Sequence, residues 1–410
     1  MKRVLVRLGS CALVAALTAC ASDGARPAAP HAGATTGAPG ANPVPMQVPS
    51  ATACAPGAVC ATPGPDPSTS APSATSATPP NPEPPKPEPP KAGKMPGGLS
   101  RGTGDALDQE LFEADKAYAA DDLKSAKQHF QKAKKLAPND PAPEVGLLRV
   151  ALAESGVATD YAAAPKDKKI IALEKRARAL AQAHSNYGPL RVERGRLLLI
   201  LGEADKAMAE LEKGVELEPN DPESHSALGV ALLATGKAEQ SLTRFRKAVE
   251  LDRDNPARLA NLGTAHMMRG QVEEAIKAYE RAVALAPTDA RARGDLGTAY
   301  LAANKPDQAL PHLEQAVKLA PERATFLSNL GYAQQQRGEL DKAIATYKLA
   351  LKKDDKLGSA WINLGTALAQ KGQLDEAETA FKKAQAIDPS DPRVKANLEE
   401  LAELRKKKKP

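Results

Sequence analysis

Few residues in this chain have chemistry to offer. Of its four cysteines, Cys11 and Cys20 lie in an apolar N-terminal stretch, and Cys54 and Cys60 lie in "TACAPGAVC". A thiol at the end of an apolar run can be acylated. A close pair in an oxidising compartment can form a small local disulfide or remain two free thiols. No histidine lies near that pair, which argues against zinc. The six histidines are His31, His129, His184, His225, His266 and His312. None has the H-E-x-x-H spacing of a metal site, and His225 and His266 read as packing or groove residues. No Gly-x-Ser-x-Gly elbow occurs. "GGLSRGTG" at 97–104 follows no strand and lacks the Gly-Lys-Ser/Thr ending of a phosphate loop. It reads as the flexible end of a linker. No catalytic residue, metal, cofactor or small-molecule substrate is expected.

A different chemistry is repeated. Asn261, Asn329 and Asn363, with Asp295 among them, fall on one register of 34 residues, and Thr264, Thr298, Tyr332 and Thr366 follow three residues later. An amide offers both a donor and an acceptor. A row of them can hold the backbone of an extended peptide without reading its sequence.

The elements around these residues divide the chain. Lys2, Arg3 and Arg7 precede an apolar run from Leu8 to Ala19. That run is too short for the roughly 20 residues that span a bilayer, and the pattern is that of an export signal. Leu17-Thr18-Ala19-Cys20 resembles the bacterial lipobox. The resemblance implies cleavage before Cys20 and acylation of its thiol and new amino group, giving the two or more chains that stable anchoring needs. An ordinary secretory signal containing a cysteine is the plain alternative. Ala21 and Ser22 follow, without the Asp that favours inner-membrane retention, which points to the outer membrane facing the periplasm. Residues 21–104 are dominated by Pro, Ala, Gly, Ser and Thr, without apolar periodicity, and should stay disordered. "PPNPEPPKPEPPK" at 79–91 favours polyproline II. Coil and polyproline regimes bracket the reach of this tether between roughly 50 and roughly 260 Å.

After residue 106 helix formers dominate and a 34-residue period appears. Gly195, Gly229, Gly263, Gly297, Gly331 and Gly365 form one series. Ala207, Ser241, Ala275, Ala309, Ala343 and Ala377 form a second, and Leu211, Phe245, Tyr279, Leu313, Tyr347 and Phe381 a third. Prolines punctuate at 219, 287, 321 and 389. The pattern resembles the tetratricopeptide repeat (TPR), W-x2-L-G-x2-Y…A-x3-F…P. The resemblance implies an all-α, right-handed superhelix of helix hairpins. Small residues at positions 8 and 20 let the two helices approach, a large residue at 24 fills the groove between neighbours, and proline ends the second helix. The expected organisation is a signal peptide at 1–19, a lipidated tether at 20–106, about eight repeats over 107–391, and a capping helix with a basic tail at 392–410. The second unit, 141–187, is divergent and extended around "SGVATDYAAAPKDKK".

In TPR arrays the first helix of each repeat lines the concave face. Asn261, Asp295, Asn329 and Asn363 at position 6, and Thr264, Thr298, Tyr332 and Thr366 at position 9, are therefore expected in the groove. The row resembles the asparagine ladder of O-GlcNAc transferase TPRs. Asn in "NLG" is also common in TPR sequences, where it can serve local hydrogen bonding. The formal net charge is +6. Removing three signal cations and the five of Arg405–Lys409 leaves −2, so the body is not basic and nucleic-acid binding is not expected. The tail can meet anionic lipid or remain a solvated end.

Two function classes follow. One is a membrane-anchored scaffold that binds protein partners, as extended peptide segments, during assembly of an envelope complex such as a pilus or secretion machine. TPR lipoproteins that pilot pilus secretins resemble this plan, with fewer repeats and without the proline tether. The other is a structural spacer linking the outer membrane to peptidoglycan or inner-membrane components.

Overall fold

Position 15 of the repeat shows most directly why this sequence folds into hairpins. The residue there must turn the chain back on itself through a left-handed backbone conformation. Gly202, Gly236, Gly270, Gly338 and Gly372 do so with φ between 71° and 83°. Asn304 (φ 57°) and Asp121 (φ 60°) take the same place in two other pairs, being among the few side chains that visit this region readily.

A computed structural model describes residue 95 and residues 97–157 and 164–408. The expected export signal, Cys20, the Cys54 and Cys60 pair and the proline-rich stretch at 79–91 lie outside the described residues. What is described is entirely helical apart from turns, and consists of eight helix pairs and one final helix. The pairs are α1 (Ala106–Ala119) with α2 (Leu123–Leu136), α3 (Pro141–Glu154) with α4 (Lys168–Ala183), and α5 (Gly188–Ile200) with α6 (Ala204–Leu217). Next come α7 (Pro222–Ala234) with α8 (Ala238–Leu251), α9 (Pro256–Met268) with α10 (Val272–Leu285), and α11 (Ala290–Ala302) with α12 (Pro306–Leu319). The last are α13 (Ala324–Gln336) with α14 (Leu340–Lys353) and α15 (Gly358–Gln370) with α16 (Leu374–Ile387), followed by α17 (Pro392–Lys408). Each helix packs on the next, making a solenoid of stacked pairs. Among the described residues no helix is long and apolar enough to cross a membrane.

The helix ends follow local chemistry. Asp221 caps α7 by accepting from the Ser224 N–H at 2.8 Å, with Pro222 in the first helical turn where its missing donor costs nothing. Helices α6, α10, α12 and α16 each stop two residues before their proline, because the residue preceding proline is driven out of the helical region.

Inside each pair the three sequence series meet. A Cβ on Gly229, Gly263, Gly331 or Gly365 would lie within 2.8 Å of the ring of Phe245, Tyr279, Tyr347 or Phe381 in the same pair. The large residue at position 24 therefore seats against the position 8 glycine of its own hairpin. Ser241, the polar member of the position 20 series, is fully buried and donates to the Gly229 carbonyl at 2.8 Å, which satisfies a hydroxyl that burial would otherwise penalise.

One expectation is corrected here. Of residues 97–104, read as a flexible linker end, 97–100 are packed against the array, and the more exposed residues beyond them are tied to it by hydrogen bonds of Arg101 and Gly104. Leu99 is buried in the apolar cluster of the first pairs beside Leu111, Val145 and Leu148. Its neighbours are held by side chains of α1 and α3. The connection from α3 to α4 carries the extra length of the second pair, and it returns to the array where the Ala164 N–H donates to the Ile200 carbonyl at 3.1 Å.

Candidate functional site

Successive first helices of the pairs touch one another all along the array, whereas successive second helices do not. The first helices, α1 through α15 in odd steps, therefore line the inner face of the stack. That face has two chemically distinct halves.

The N-terminal half is charged and its charges are paired. Arg149 on α3 and Glu193 on α5 meet at 3.2 Å, and both side chains are nearly inaccessible. Arg258 on α9 reaches Glu223 on α7 at 3.0 Å and Asp252 at 2.8 Å. Away from this face, on the second helix α4, the buried Glu174 pairs with Arg178 and with Arg194 of α5. Pairs this enclosed are costly to break, since removing one partner strands a buried charge. Asp115 is also buried, and burial pushes its carboxyl pKa up against the pull of backbone N–H bonds from Ser100 and Leu99 and of the Arg149 charge.

The C-terminal half is lined mainly by neutral amides and hydroxyls. Asn261, Thr264, Asn329, Asn363 and Thr366 are partly exposed on it. Asn261 Nδ2 donates to Ser226 Oγ of the preceding repeat at 3.3 Å, and Asn329 Nδ2 donates to Thr298 Oγ1 at 2.9 Å. These amides therefore stitch neighbouring repeats as well as facing the groove. Thr264 shares a 2.9 Å hydrogen bond with Tyr279 Oη. Thr298 and Thr366 each donate to a carbonyl of their own helix, at 2.8 and 3.0 Å. Thr298, Asp295 and Tyr332 lie deeper, at 4%, 9% and 8% exposure. The Tyr332 hydroxyl accepts from Gln336 Nε2 at 2.7 Å, and Gln335 links Tyr347 to Gln370. Asp295 is the acidic member of this row. Burial raises its carboxyl pKa to about 6, and Arg291, with Nε 3.8 Å away, offsets only part of that.

The period, the glycine-on-ring contact and the stacked hairpins identify the architecture, and the sequence matches agree. The family descriptions "Tetratricopeptide repeat" and "TPR repeat" match residues 195–236, 222–255, 255–322, 295–357 and 336–401. The chain belongs to the tetratricopeptide repeat family. No curated protein matches it. Among solved structures, the APC/C hetero-tetramer Cut9-Hcn1 is similar with a TM-score of 0.60 and 18% identity, over 72% of this chain and 56% of that one. This TPR chain thus spans little more than half of that relative's length, and what the two share is the fold. YrrB, described as a TPR protein with an unusual peptide-binding site, is 23% identical over 46% of this chain and 97% of its own, with a TM-score of 0.38. Pseudomonas aeruginosa pilF is 20% identical over 55% of this chain and 99% of its own, with a TM-score of 0.45.

A TPR array of this kind is a scaffold whose helical grooves can take peptide or protein partners. Among the described residues no cluster of His, Cys, Asp and Glu could hold a metal ion. Three of the histidines have structural partners. His225 Nε2 meets the Pro219 carbonyl at 2.9 Å, His266 meets Gln271 at 2.8 Å, and His312 stacks on Tyr300. Sequence reading missed the charged half of the groove. Its signal was available in the Arg, Glu and Asp residues at inward positions of the first repeats, where the later repeats carry Asn and Thr.

Proposed function

We propose that this protein is a lipid-anchored TPR scaffold of a bacterial envelope, and that it holds extended segments of partner proteins in the inner groove of its last four repeats. The observation that carries this reading is the row of amides and hydroxyls, interrupted by Asp295, that repeats every 34 residues along that half. Amides and hydroxyls at one spacing suit a peptide backbone, which repeats its own donors and acceptors. Asn363 and Thr366 extend the row towards the C-terminal end. Anchorage rests on the Leu-Thr-Ala-Cys context of Cys20, with the proline-rich stretch as spacer, the outer membrane as the site, and assembly of a pilus or secretion complex as the setting.

The test is partner capture from cross-linked envelopes, comparing the wild type with the triple change Asn261→Ala, Asn329→Ala and Asn363→Ala. Because Asn261 and Asn329 bond to neighbouring repeats, the comparison is made at matched helical content and expression. Loss of a partner that the wild type captures supports groove binding. Retention of the same partner overturns it.

A further inference from the structure

The N-terminal half of the groove already contains a peptide, and it is the chain's own. Residues 97–104 cross the inner face from the fourth and fifth pairs to the start of α1. They are held chiefly through their backbone. Asp115 Oδ2 accepts from the Leu99 and Ser100 N–H groups at 2.6 and 3.0 Å. Asp108 accepts from the Arg101 N–H, and its second oxygen accepts from the Gly104 N–H at 3.0 Å. Arg149 Nη1 donates to the Gly97 carbonyl at 3.3 Å. Two side chains add specificity. Leu99 is buried among apolar residues of the first pairs, and Arg101 Nη2 bonds both oxygens of Asp140 at 2.7 Å.

The segment also fits by having no side chain where the groove leaves no room. A Cβ on Gly98 would sit 2.6 Å from Asp115 Oδ2. One on Gly97 would sit 3.1 Å from Glu223 Cβ and 3.2 Å from Arg258 Nη2, and Gly97 has φ +75°. The groove thus reads adjacent glycines, then an apolar residue, then an arginine two positions beyond it.

We propose that the inner face of the first repeats is a second peptide site, distinct from the amide row, which recognises a Gly-Gly-Leu-Ser-Arg segment. Residues 97–104 are its resident ligand in cis, and the same segment of a second copy of this chain is its ligand in trans. Apart from the Gly104 N–H bond to Asp108, which the chain's direct entry into α1 imposes, these contacts are non-covalent and reach residues distant in sequence, so residues 97–101 of another copy can make them. Linkage to α1 gives the cis segment a high effective concentration. The site is therefore closed in the isolated chain and opens to exchange when the cis segment is displaced.

The experiment uses the full chain and a labelled synthetic peptide of residues 93–104. Hydrogen exchange on the wild type should show slowed exchange at the Leu99, Ser100 and Arg101 amides, and the wild type should not bind the peptide. In the double variant Gly97→Val, Gly98→Val, that protection should be lost while helical circular dichroism is retained, and binding of the wild-type peptide should appear by fluorescence anisotropy. Adding Asp115→Ala to the double variant should abolish that binding, and a peptide carrying the two valines should not bind. Unprotected amides in the wild type, protection that survives the double change, or an emptied groove that ignores the peptide would each overturn the proposal. The amide row is unaltered in these variants, so this outcome is independent of partner capture by the last four repeats.

Discussion

Asp295 is the residue whose environment makes the sharpest demand. It occupies the position that Asn fills in three other repeats, and it is buried with a carboxyl pKa raised to about 6. A raised folded value means that the folded state binds the proton more tightly than the unfolded chain does. The resulting penalty is absent below the ordinary aspartate value of 3.8, grows as pH rises to about 6, and is constant above it. Asp295→Asn should therefore stabilise the array at pH 7.5 by up to about 3 kcal/mol, at ~1.4 kcal/mol per pH unit. The gain should vanish near pH 4. Thermal melts of the two proteins at both pH values check this, and an equal melting difference at both would contradict it. The neighbouring Asn residues keep the same shape without a charge, which is the physical reason a ladder of them can be repeated cheaply.

Within a hairpin, the ring at position 24 is the main source of rigidity. Tyr347 is fully buried against Gly331, and its hydroxyl donates to Gln335 Oε1 at 2.8 Å. Tyr347→Phe should cost about 1–2 kcal/mol through the lost hydrogen bond. Tyr347→Ala should cost about 3–5 kcal/mol through the cavity. Urea titrations would compare them, and similar costs for the two would contradict the packing role. Hairpins of this kind were legible in the sequence because one contact, glycine against a large side chain, recurs at a fixed offset. The same regularity revealed the helix ends before Pro219 and Pro287. Residues 97–104 were illegible for the opposite reason. Their glycines resemble a linker locally, and their partners Asp108, Asp115 and Arg149 come from two different helices without a periodic signature. Thr298 and Tyr332 were placed on the inward face by their register. Register alone does not report depth, and both are more buried than Thr264 or Thr366.

At the scale of the whole molecule, each repeat touches mainly its neighbours, so stability is close to a sum of local terms. The last pair depends on α17, whose Val394 packs with Ile362 and Ala384 and whose Leu401 joins the larger cluster. Arg405 extends this contact by pairing with Asp375 at 2.5 Å and with Glu378, which ties the start of the basic tail to the array. Removing residues 392–410 should speed amide exchange in α15 and α16 and leave α1–α6 unchanged. Uniform acceleration along the chain would contradict a one-dimensional stack. Anchorage belongs to this scale too. Cys20→Ser should move the protein from the membrane fraction to the soluble envelope fraction without altering its circular dichroism, whereas unchanged fractionation would rule out a lipid anchor at that residue.

The most direct measurement is site-specific photo-cross-linking in the intact envelope, with the reactive group placed in turn at position 363 on the inner face and at position 349 on α14, where Leu349 is 45% exposed. A groove that holds extended peptides should yield a discrete cross-linked partner from position 363, mapped to one short segment, and none from position 349. The same partner cross-linking only through position 349 would place binding on the other side of the array and contradict the role assigned to the amide row.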